Sequence, residues 1–296
     1  MTDAYTLTVA MRGRWSGGRG MACCPAHDDR SPSLSIADGA DGRLLLRCHA
    51  GCSFAEVQAA LRECGLIAGA NTFRPVARVL DEERRAVDRA ILEKRMRQAR
   101  RLWNEAGPIA GTPGERYLRA RGITCALPYT LRYIDDCWHQ AAKCSPAMVS
   151  HVRNVREPQT FAVHRTYIRG DGLAKADLLP SKAMLGPVAG GAVHLSNSNG
   201  PLVVTEGIET GLSLLCGILT GPATVWAALS ASGMVRLTLP DQPGELIIAP
   251  DGDLTGGKAA EALAMRAQAL GWQVSLLTPP DGFDWNDVLT GKAVAA

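Results

Sequence analysis

The stretch that decides the fold is PLVVTEGIETGLSLLCGIL at residues 201–219, followed by ATVWAAL at 223–229 and GELIIAPD at 244–251. The apolar runs that open each segment predict buried strands, and GIETGLSLLCGIL predicts a helix after the first of them. A second helix is predicted over 256–271 and a last strand over 272–277. Apolar strands that alternate with helices favour a parallel sheet covered on both faces. The sequence therefore predicts an α/β domain in this part of the chain.

Acidic residues follow two of these strands directly. Glu206 comes after LVVT, and Asp251 and Asp253 come after ELIIAP as Asp-Gly-Asp. In open α/β sheets the ligand crevice lies outside the carboxyl ends of the strands. Gly252 lets the backbone bend, so both aspartates can face one ion. A lone Asp-x-Asp is more often a turn or a helix cap, but here a strand-end glutamate accompanies it.

Two more carboxylates, Asp284 and Asp287, follow in DGFDWNDVL. Clustered carboxylates repel one another unless a cation is present. Hard oxygen ligands in this number suit Mg²⁺ or Mn²⁺, so we predict a divalent-metal site. Lys258 starts the next helix and is equally consistent with a phosphate contact and with a plain surface lysine.

Four cysteine and histidine residues near the start of the chain have metal-ligand spacing. Two residues separate Cys24 from His27, three separate Cys48 from Cys52, and the segment between the pairs has room for a β-hairpin. Zinc suits mixed thiolate and imidazole ligands, and a closed set of four indicates a structural site.

Two alternatives stay open within this set. Cys23 can replace Cys24, and His49 can replace either of the later cysteines. The Cys-Pro-x-His order favours Cys24. The other cysteines have no metal spacing and are interpreted as core or surface thiols. Clustered cysteines of this kind indicate a metal site in a reducing compartment rather than a disulfide framework.

Composition narrows the class of protein. The chain has 296 residues, 46% hydrophobic and 21% charged, which excludes wholesale disorder. No stretch approaches the ~20 apolar residues of a membrane-spanning helix. The N-terminus has no signal-peptide run, so we expect a cytoplasmic protein without a membrane partner.

Residues 1–200 hold 28 Lys and Arg against 19 Asp and Glu, whereas residues 201–296 hold 4 against 10. The basic N-terminal part can bind a polyanion, and the acidic C-terminal part can bind metal cations.

The motifs together resemble a known family. Strand–Glu206-Gly207, strand–Asp251-Gly252-Asp253 and the Asp284–Asp287 segment resemble a Toprim domain, which is shared by bacterial-type primases, topoisomerases, some nucleases and recombination-repair proteins. The cysteine and histidine cluster resembles the zinc-binding domain of bacterial replicative primases. GERYLRARGIT at 114–124 resembles the Tyr-Leu-x-x-Arg-Gly segment that opens the primase polymerase domain. The stretch 164–195 resembles the region before Toprim in primases of phages, plasmids and mobile elements.

This resemblance implies an α/β fold class: an N-terminal zinc ribbon, then a mixed α+β primase core that contains the parallel Toprim sheet. The domains are expected to be a zinc ribbon at 1–66, a linker and charged helix at 67–110, a basic part of the core at 111–200, and Toprim at 201–296. Within these, helices are predicted over 53–64 and 81–106.

The resemblance also implies a DNA-dependent primase, a nucleotidyltransferase that makes short primers on single-stranded DNA from nucleoside triphosphates. Glu206, Asp251 and Asp253 would bind the catalytic Mg²⁺ or Mn²⁺, and Asp284 or Asp287 would complete the acidic cluster. The zinc ribbon would contact the template.

Basic contacts to template, nucleotide or primer are expected from Arg165 and Lys182. No Walker-type phosphate loop is present, so a replicative helicase would be a separately encoded partner. The alternatives are a Toprim nuclease and a non-catalytic DNA-binding scaffold.

Overall fold

The computed structural model describes residues 3–39, 43–67 and 78–292. The chain divides into two compact units, Met1–Lys94 and Arg95–Ala296. Most of the predicted linker, residues 68–77, lies outside the described residues. The predicted α/β fold class, with a small N-terminal unit followed by a mixed region that contains a parallel sheet, is confirmed by the elements below. The finer domain boundaries remain a prediction.

The first unit is a small antiparallel sheet between short helices. Its elements are α1 (Ala4–Ala10), β1 (Arg14–Ser16), β2 (Arg19–Ala22), β3 (Leu34–Asp38), β4 (Leu44–Cys48) and α2 (Phe54–Glu63). The strands pair in the order β1-β2-β3-β4, and β3 and β4 form the predicted hairpin. Helix α2 begins after Ser53, which forms a capping box with Glu56. Leu7, Ile36 and Leu61 are fully buried between helices and sheet, so each element contributes apolar side chains to one small core.

Helix α3 (Arg78–Glu105) corresponds to the helix predicted over 81–106. Of its predicted apolar positions, Ala99 is fully buried, whereas Leu92 is 41% exposed. Most of the arginines from Arg85 onward are exposed. From Arg85 onward, the helix is therefore buried at Ala99, toward its C-terminal end, and has a solvated charged face.

The second unit is built on one ten-stranded sheet. Its strands are β5 (Gly107–Pro108), β6 (Leu131–His139), β7 (Lys143–Arg153), β8 (Ala162–Tyr167), β9 (Lys182–Leu185), β10 (Ala192–His194), β11 (Leu202–Thr205), β12 (Thr224–Ala227), β13 (Glu245–Ala249) and β14 (Gln273–Leu276). Its remaining helices are α4 (Pro113–Ala120), α5 (Ile208–Ser213), α6 (Ala231–Arg236), α7 (Leu254–Ala269) and α8 (Trp285–Leu289). The strand order is β14-β13-β11-β12-β10-β7-β6-β5, and β8 joins β7 to β9.

Four adjacent strands, β14, β13, β11 and β12, run parallel. Neighbouring residues of β11 lie in different apolar clusters: Val203 packs with Ile208 and Leu212, and Val204 packs with Met234 and Leu263. Because successive side chains of a strand point to opposite faces, α5 covers one face of the sheet, and α6 and α7 cover the other. The predicted parallel sheet with two covered faces is confirmed.

Two details differ from the sequence predictions. The helix expected over 207–219 stops at Ser213 and continues as one wide turn, because Gly217 has a φ of +111° that interrupts the helix. Helix α6 was not predicted, since its six residues carry too few apolar positions to give a periodic pattern. In the described part of the chain, no helix is long and apolar enough to span a bilayer.

Candidate metal centre and acidic site

The first unit brings together Cys24, His27, Cys48 and Cys52. Their ligand atoms all lie within 4.8 Å of one another. The Nδ1 atom of His27 is 3.2 Å from the Sγ of Cys52 and 4.0 Å from the Sγ of Cys48. Ligands of one tetrahedral zinc, with bonds near 2.0–2.3 Å, stand roughly 3.3–3.8 Å apart. The donor set and the spacing therefore fit a tetrahedral metal ion.

The local fold explains this convergence. Cys48 is the last residue of β4, and its partner in the hairpin is Leu34 of β3. The second knuckle turns at Gly51, whose φ of +108° suits a residue without a side chain. Cys52 then precedes Ser53, the N-cap of α2. The hairpin and the helix thus carry the later cysteines toward Cys24 and His27.

The thiols differ in their protonation. Burial, together with the nearby Cys48 and Cys52, raises the pKa of Cys24 to about 12. Burial also raises the pKa of Cys48, but hydrogen bonds from the backbone N–H groups of Cys52 and Ala50 outweigh it and lower the value to about 6. Cys48 is therefore the thiol that loses its proton most readily and is ready to bind a cation.

Asp29 organises the first knuckle, although its role was not apparent from the sequence. One of its oxygens accepts the N–H of Cys24 at 2.7 Å and also the Ser33 hydroxyl. The same oxygen lies 3.8 Å from His27 Nε2, on the side of the ring opposite the sulfurs. The Ser33 hydroxyl and the Cys24 N–H lower the pKa of Asp29 to about 2. An ionised carboxylate behind a ligating imidazole fixes the ring orientation and raises its basicity.

The alternative metal ligands left open by the sequence differ in solvent exposure from the residues they would replace. Cys23 and His49 are both exposed, whereas Cys24 and Cys48 are buried. Among residues 3–39, 43–67 and 78–292, the set whose ligand atoms converge contains Cys24 rather than Cys23 and does not contain His49.

The acidic residues of the second unit lie at one edge of the parallel sheet. Thr205, the last residue of β11, is in register with Ala249, the last residue of β13. Glu206 follows the first strand and Asp251 follows the second after Pro250. The two carboxylates therefore meet at the carboxyl edge, as strand alignment requires.

The charges at this edge interact. Burial raises the pKa of Glu206, and Asp251 and Asp253 raise it further. Burial likewise raises the pKa of Asp251, with added contributions from Asp284 and Asp253. Repulsion of this kind is relieved by a bound cation. In the part of the chain that the structure describes, the carboxylate oxygens do not converge as tightly as the cysteine and histidine ligands, a looser arrangement that suits Mg²⁺ held by one or two carboxylates together with substrate phosphates.

Three groups oppose this rise in pKa, and one of them is the Ala231 backbone, whose hydrogen bond lowers the pKa of Glu206. The Thr210 hydroxyl donates a hydrogen bond of 3.0 Å to Asp251 Oδ1, and the Lys182 ammonium lowers the pKa of both Glu206 and Asp251. Thr210 lies on α5, four residues after Glu206. It was not singled out from the sequence, because a lone threonine carries no metal-ligand signal.

The other predicted acids serve as helix caps. Asp253 is the exposed N-cap of α7 and accepts the N–H of Gly256 at 2.6 Å. Asp284 caps α8 in a capping box with Asp287, and Asp287 also lies 3.3 Å from Lys292 Nζ. Asp253 and Asp284 each cap a helix and also belong to the acidic edge, because both raise the pKa of Asp251. The Asp287 carboxylate instead lies beside the Lys292 ammonium.

A groove of about 480 Å³ opens beside this edge. Asp251 and Asp253 line one side, and Lys258 and Glu261 of α7 line another. Lys258 is exposed, so its ammonium is accessible to an anion bound in the groove.

The structure separates the two predicted basic contacts. In the pairing of β8 with β9, Arg165 lies opposite Ala183, and Thr166 lies opposite Lys182. Because paired residues share a face and neighbours along a strand do not, Arg165 and Lys182 project to opposite faces. Arg165 is buried and donates to the Trp138 carbonyl at 3.1 Å. Lys182 alone of the two faces the acidic edge.

The GERYLRARGIT segment packs directly against helix α8. Arg121 donates to Asn286 Oδ1 at 3.1 Å, and Asn286 Nδ2 donates to the Arg121 carbonyl at 2.7 Å and to Ser213 Oγ at 3.1 Å. Asn286 is 4% exposed. This reciprocal contact connects the segment after α4 to the helix that Asp284 caps.

Comparison with known proteins assigns part of the chain. Residues 201–294 match the family model described as Toprim domain, so this region is a Toprim domain, as predicted. Residues 93–195 match a model described as Domain of unknown function (DUF7146). No curated protein matches the chain.

The solved structures that are similar to the chain include two primases. The crystal structure of the Aquifex aeolicus primase, with zinc-binding and RNA polymerase domains, shares 12% identity, with 99% of this chain and 83% of that chain covered and a TM-score of 0.42. The primase fragment of the bacteriophage T7 primase-helicase protein shares 14% identity, with 93% and 98% covered and a TM-score of 0.39. These scores describe a distant likeness in fold.

Proposed function

We propose that the chain is a DNA-dependent primase that joins nucleoside triphosphates into short primers on single-stranded DNA. The observation that carries the proposal is the acidic edge of the Toprim domain. There, Glu206 and Asp251 follow adjacent parallel strands, and Asp251 raises the pKa of Glu206, with Lys182 beside them. Carboxylates that bind cations next to an ammonium that binds phosphate are what transfer of a nucleotidyl group requires.

In this proposal Glu206, Asp251 and Asp253 bind Mg²⁺ or Mn²⁺. Their hard, anionic oxygens fit either ion. A bound ion would neutralise charge on the triphosphate and lower the pKa of the attacking hydroxyl. Asp284 holds the start of α8 against the edge and adds negative charge to it, and Asp287 supports Asp284 through the capping box.

Basic residues of the chain hold the polyanions. Lys182 faces the carboxylates, where it would contact the triphosphate, and Lys258 lines the adjacent groove, where it would contact nucleotide or primer phosphates. The template backbone would be held by the net positive charge of residues 1–200. Binding of single-stranded DNA should therefore weaken steeply as salt concentration rises.

The cluster of Cys24, His27, Cys48 and Cys52 would bind a structural Zn²⁺. Three thiols and one imidazole are the donor set that zinc prefers, and four protein ligands leave no open position for catalysis. The folded knuckles would then present the first unit to the template. A replicative helicase, needed to open duplex DNA, would be a separate partner.

A primer-synthesis assay on circular single-stranded DNA tests the proposal. Labelled nucleotides are supplied with Mg²⁺ or Mn²⁺, and wild type is compared with Asp251→Asn and Asp241→Asn. Asp241 is a matched control, because its side chain is 79% exposed and pairs with Arg156. Short products from wild type and Asp241→Asn, and none from a folded Asp251→Asn, are expected.

Other outcomes would overturn the proposal. Nicked or degraded template without primers would indicate a Toprim nuclease, in which water replaces the hydroxyl as nucleophile. DNA binding without either product would indicate a scaffold. Full primer synthesis by Asp251→Asn would refute the assignment of the site.

A further inference from the structure

A buried carboxylate next to the acidic edge has no role in the chemistry proposed above. Glu209 lies in the first turn of α5, three residues after Glu206, and is 7% exposed. Burying an ionised carboxylate is costly unless it is paired and hydrogen-bonded. A residue of this type in this position therefore needs partners that compensate its charge.

The partners come from two distant parts of the chain. Tyr117 on α4 donates its hydroxyl to Glu209 Oε1 at 2.7 Å. The Nζ atom of Lys175, in the connection after β8, lies 3.3 Å from the same oxygen. Burial raises the pKa of Glu209, but Lys182, Lys175 and Tyr117 outweigh it and hold the pKa well below its usual range. The carboxylate is therefore ionised inside the protein.

More than one cation acts on the contact between Lys175 and Glu209. Burial lowers the pKa of Lys175, and Lys182 and Arg121 lower it further, while Glu209 raises it. Lys175 and Lys182 both act on the Glu209 carboxylate. Glu209 directly precedes Thr210, whose hydroxyl donates to Asp251 at 3.0 Å, so the pair of Glu209 and Lys175 lies close to the acidic edge.

Lys175 remains partly accessible. Its side chain is 29% exposed, against 9% for the side chain of Glu209. Without an anion behind it, a half-buried lysine loses its fixed position and part of its tendency to stay protonated. The structure therefore gives Glu209 a task that requires its charge and not only its shape.

We propose that Glu209 is a positioning residue: it holds the Lys175 ammonium toward the phosphates of a nucleoside triphosphate bound at the acidic edge. This inference rests on the proposed function. Glu209 itself touches no reacting atom and acts through Lys175. Tyr117 on α4 donates its hydroxyl to Glu209 and so helps to fix the position of the carboxylate.

A double-mutant cycle tests this role. Glu209→Gln keeps an oxygen that can accept the Tyr117 hydroxyl and removes the charge, and Lys175→Met removes the ammonium. Each should weaken binding of ATP with Mg²⁺ about tenfold, measured by isothermal titration calorimetry, and raise the nucleotide KM by a similar factor, since bonds to charged groups have this magnitude. The double variant should show the effect of one change only, because both break the same contact.

Glu157→Gln is the matched control, because Glu157 is exposed on a turn, and it should bind ATP as wild type does. Multiplied effects in the double variant would overturn the inference, since a merely structural glutamate acts independently of Lys175. Unchanged ATP affinity in Glu209→Gln would overturn it as well.

The failure of the two proposals is distinguishable. Wild type that makes primers while Glu209→Gln binds ATP normally refutes the positioning role alone. Wild type that binds ATP and makes no primers refutes the primase, and the ATP affinities of the variants still decide the role of Glu209. Wild type that binds no ATP refutes the positioning role directly. If Glu209→Gln does not fold, Lys175→Met is measured alone, and an ATP affinity equal to that of wild type would overturn the inference.

Discussion

Replacing Asp29 by alanine should loosen the metal site without touching a ligand. The substitution removes the acceptor for the Cys24 N–H at 2.7 Å, the Ser31 N–H at 3.1 Å and the Ser33 N–H at 3.3 Å. It also removes the carboxylate 3.8 Å behind the His27 ring. Because one carboxylate makes all of these contacts, a single change releases both the first knuckle and the imidazole.

The magnitude follows from the place of Asp29 behind the ligands. Loss of a partner that orients a metal ligand typically costs 10–100-fold in affinity, about 1.4–2.8 kcal/mol. We expect Asp29→Ala to fall in this range, since it frees three N–H donors as well as the ring.

Competition with a chromophoric chelator measures the zinc affinity of the purified protein. Asp28→Ala is the matched control, because that side chain is 86% exposed and its partner, Arg30, lies 3.7 Å away at the surface. Asp28→Ala should bind zinc as tightly as wild type. Equal affinities for Asp29→Ala and wild type, or an equal loss in both variants, would refute the role of Asp29.

Three further outcomes follow from the second unit. Thr210→Val removes the hydrogen-bond donor to Asp251, so the pKa of that carboxyl should rise further. The acid limb of the pH–rate profile should therefore move to higher pH, and activity at neutral pH should fall about tenfold. Thr210→Ser keeps a hydroxyl and should restore both the profile and the activity. Asn286→Ala leaves the Arg121 carbonyl and guanidinium without their partner and should lower the free energy of unfolding by about 2–3 kcal/mol in urea titrations, whereas Gln268→Ala on the exposed side of α7 should change it little. Affinity for single-stranded oligonucleotides should fall linearly on a log–log plot against salt, and a flat plot would contradict electrostatic binding of the template.

The parallel part of the fold was readable from the sequence for a simple reason. Strands buried on both faces contain uninterrupted apolar runs, as in LVV at 202–204 and LIIA at 246–249, and each is followed by a helix or a turn. The side chains at the strand ends follow from the same pattern, because parallel strands end at one edge. For this reason the sequence alone predicted that Glu206 and Asp251 lie close together.

The metal cluster was also readable, because short spacing fixes each ligand pair locally. Cys24 and His27 lie within one turn, and the hairpin that joins the pairs is local too. The choice between Cys23 and Cys24 required the structure, since adjacent residues differ only in which side of the backbone faces the site.

Contacts between distant residues needed the tertiary structure. Tyr117 and Glu209 are 92 positions apart, and neither residue type signals its partner. The opposite orientation of Arg165 and Lys182 depends on the register of β8 with β9, which a shift by one residue would reverse. The sequence by itself determined which chemical groups the chain carries and where the parallel strands of the C-terminal region lie along it. Only the tertiary structure decided which charges face one another, because burial and pairing depend on contacts that no local pattern encodes.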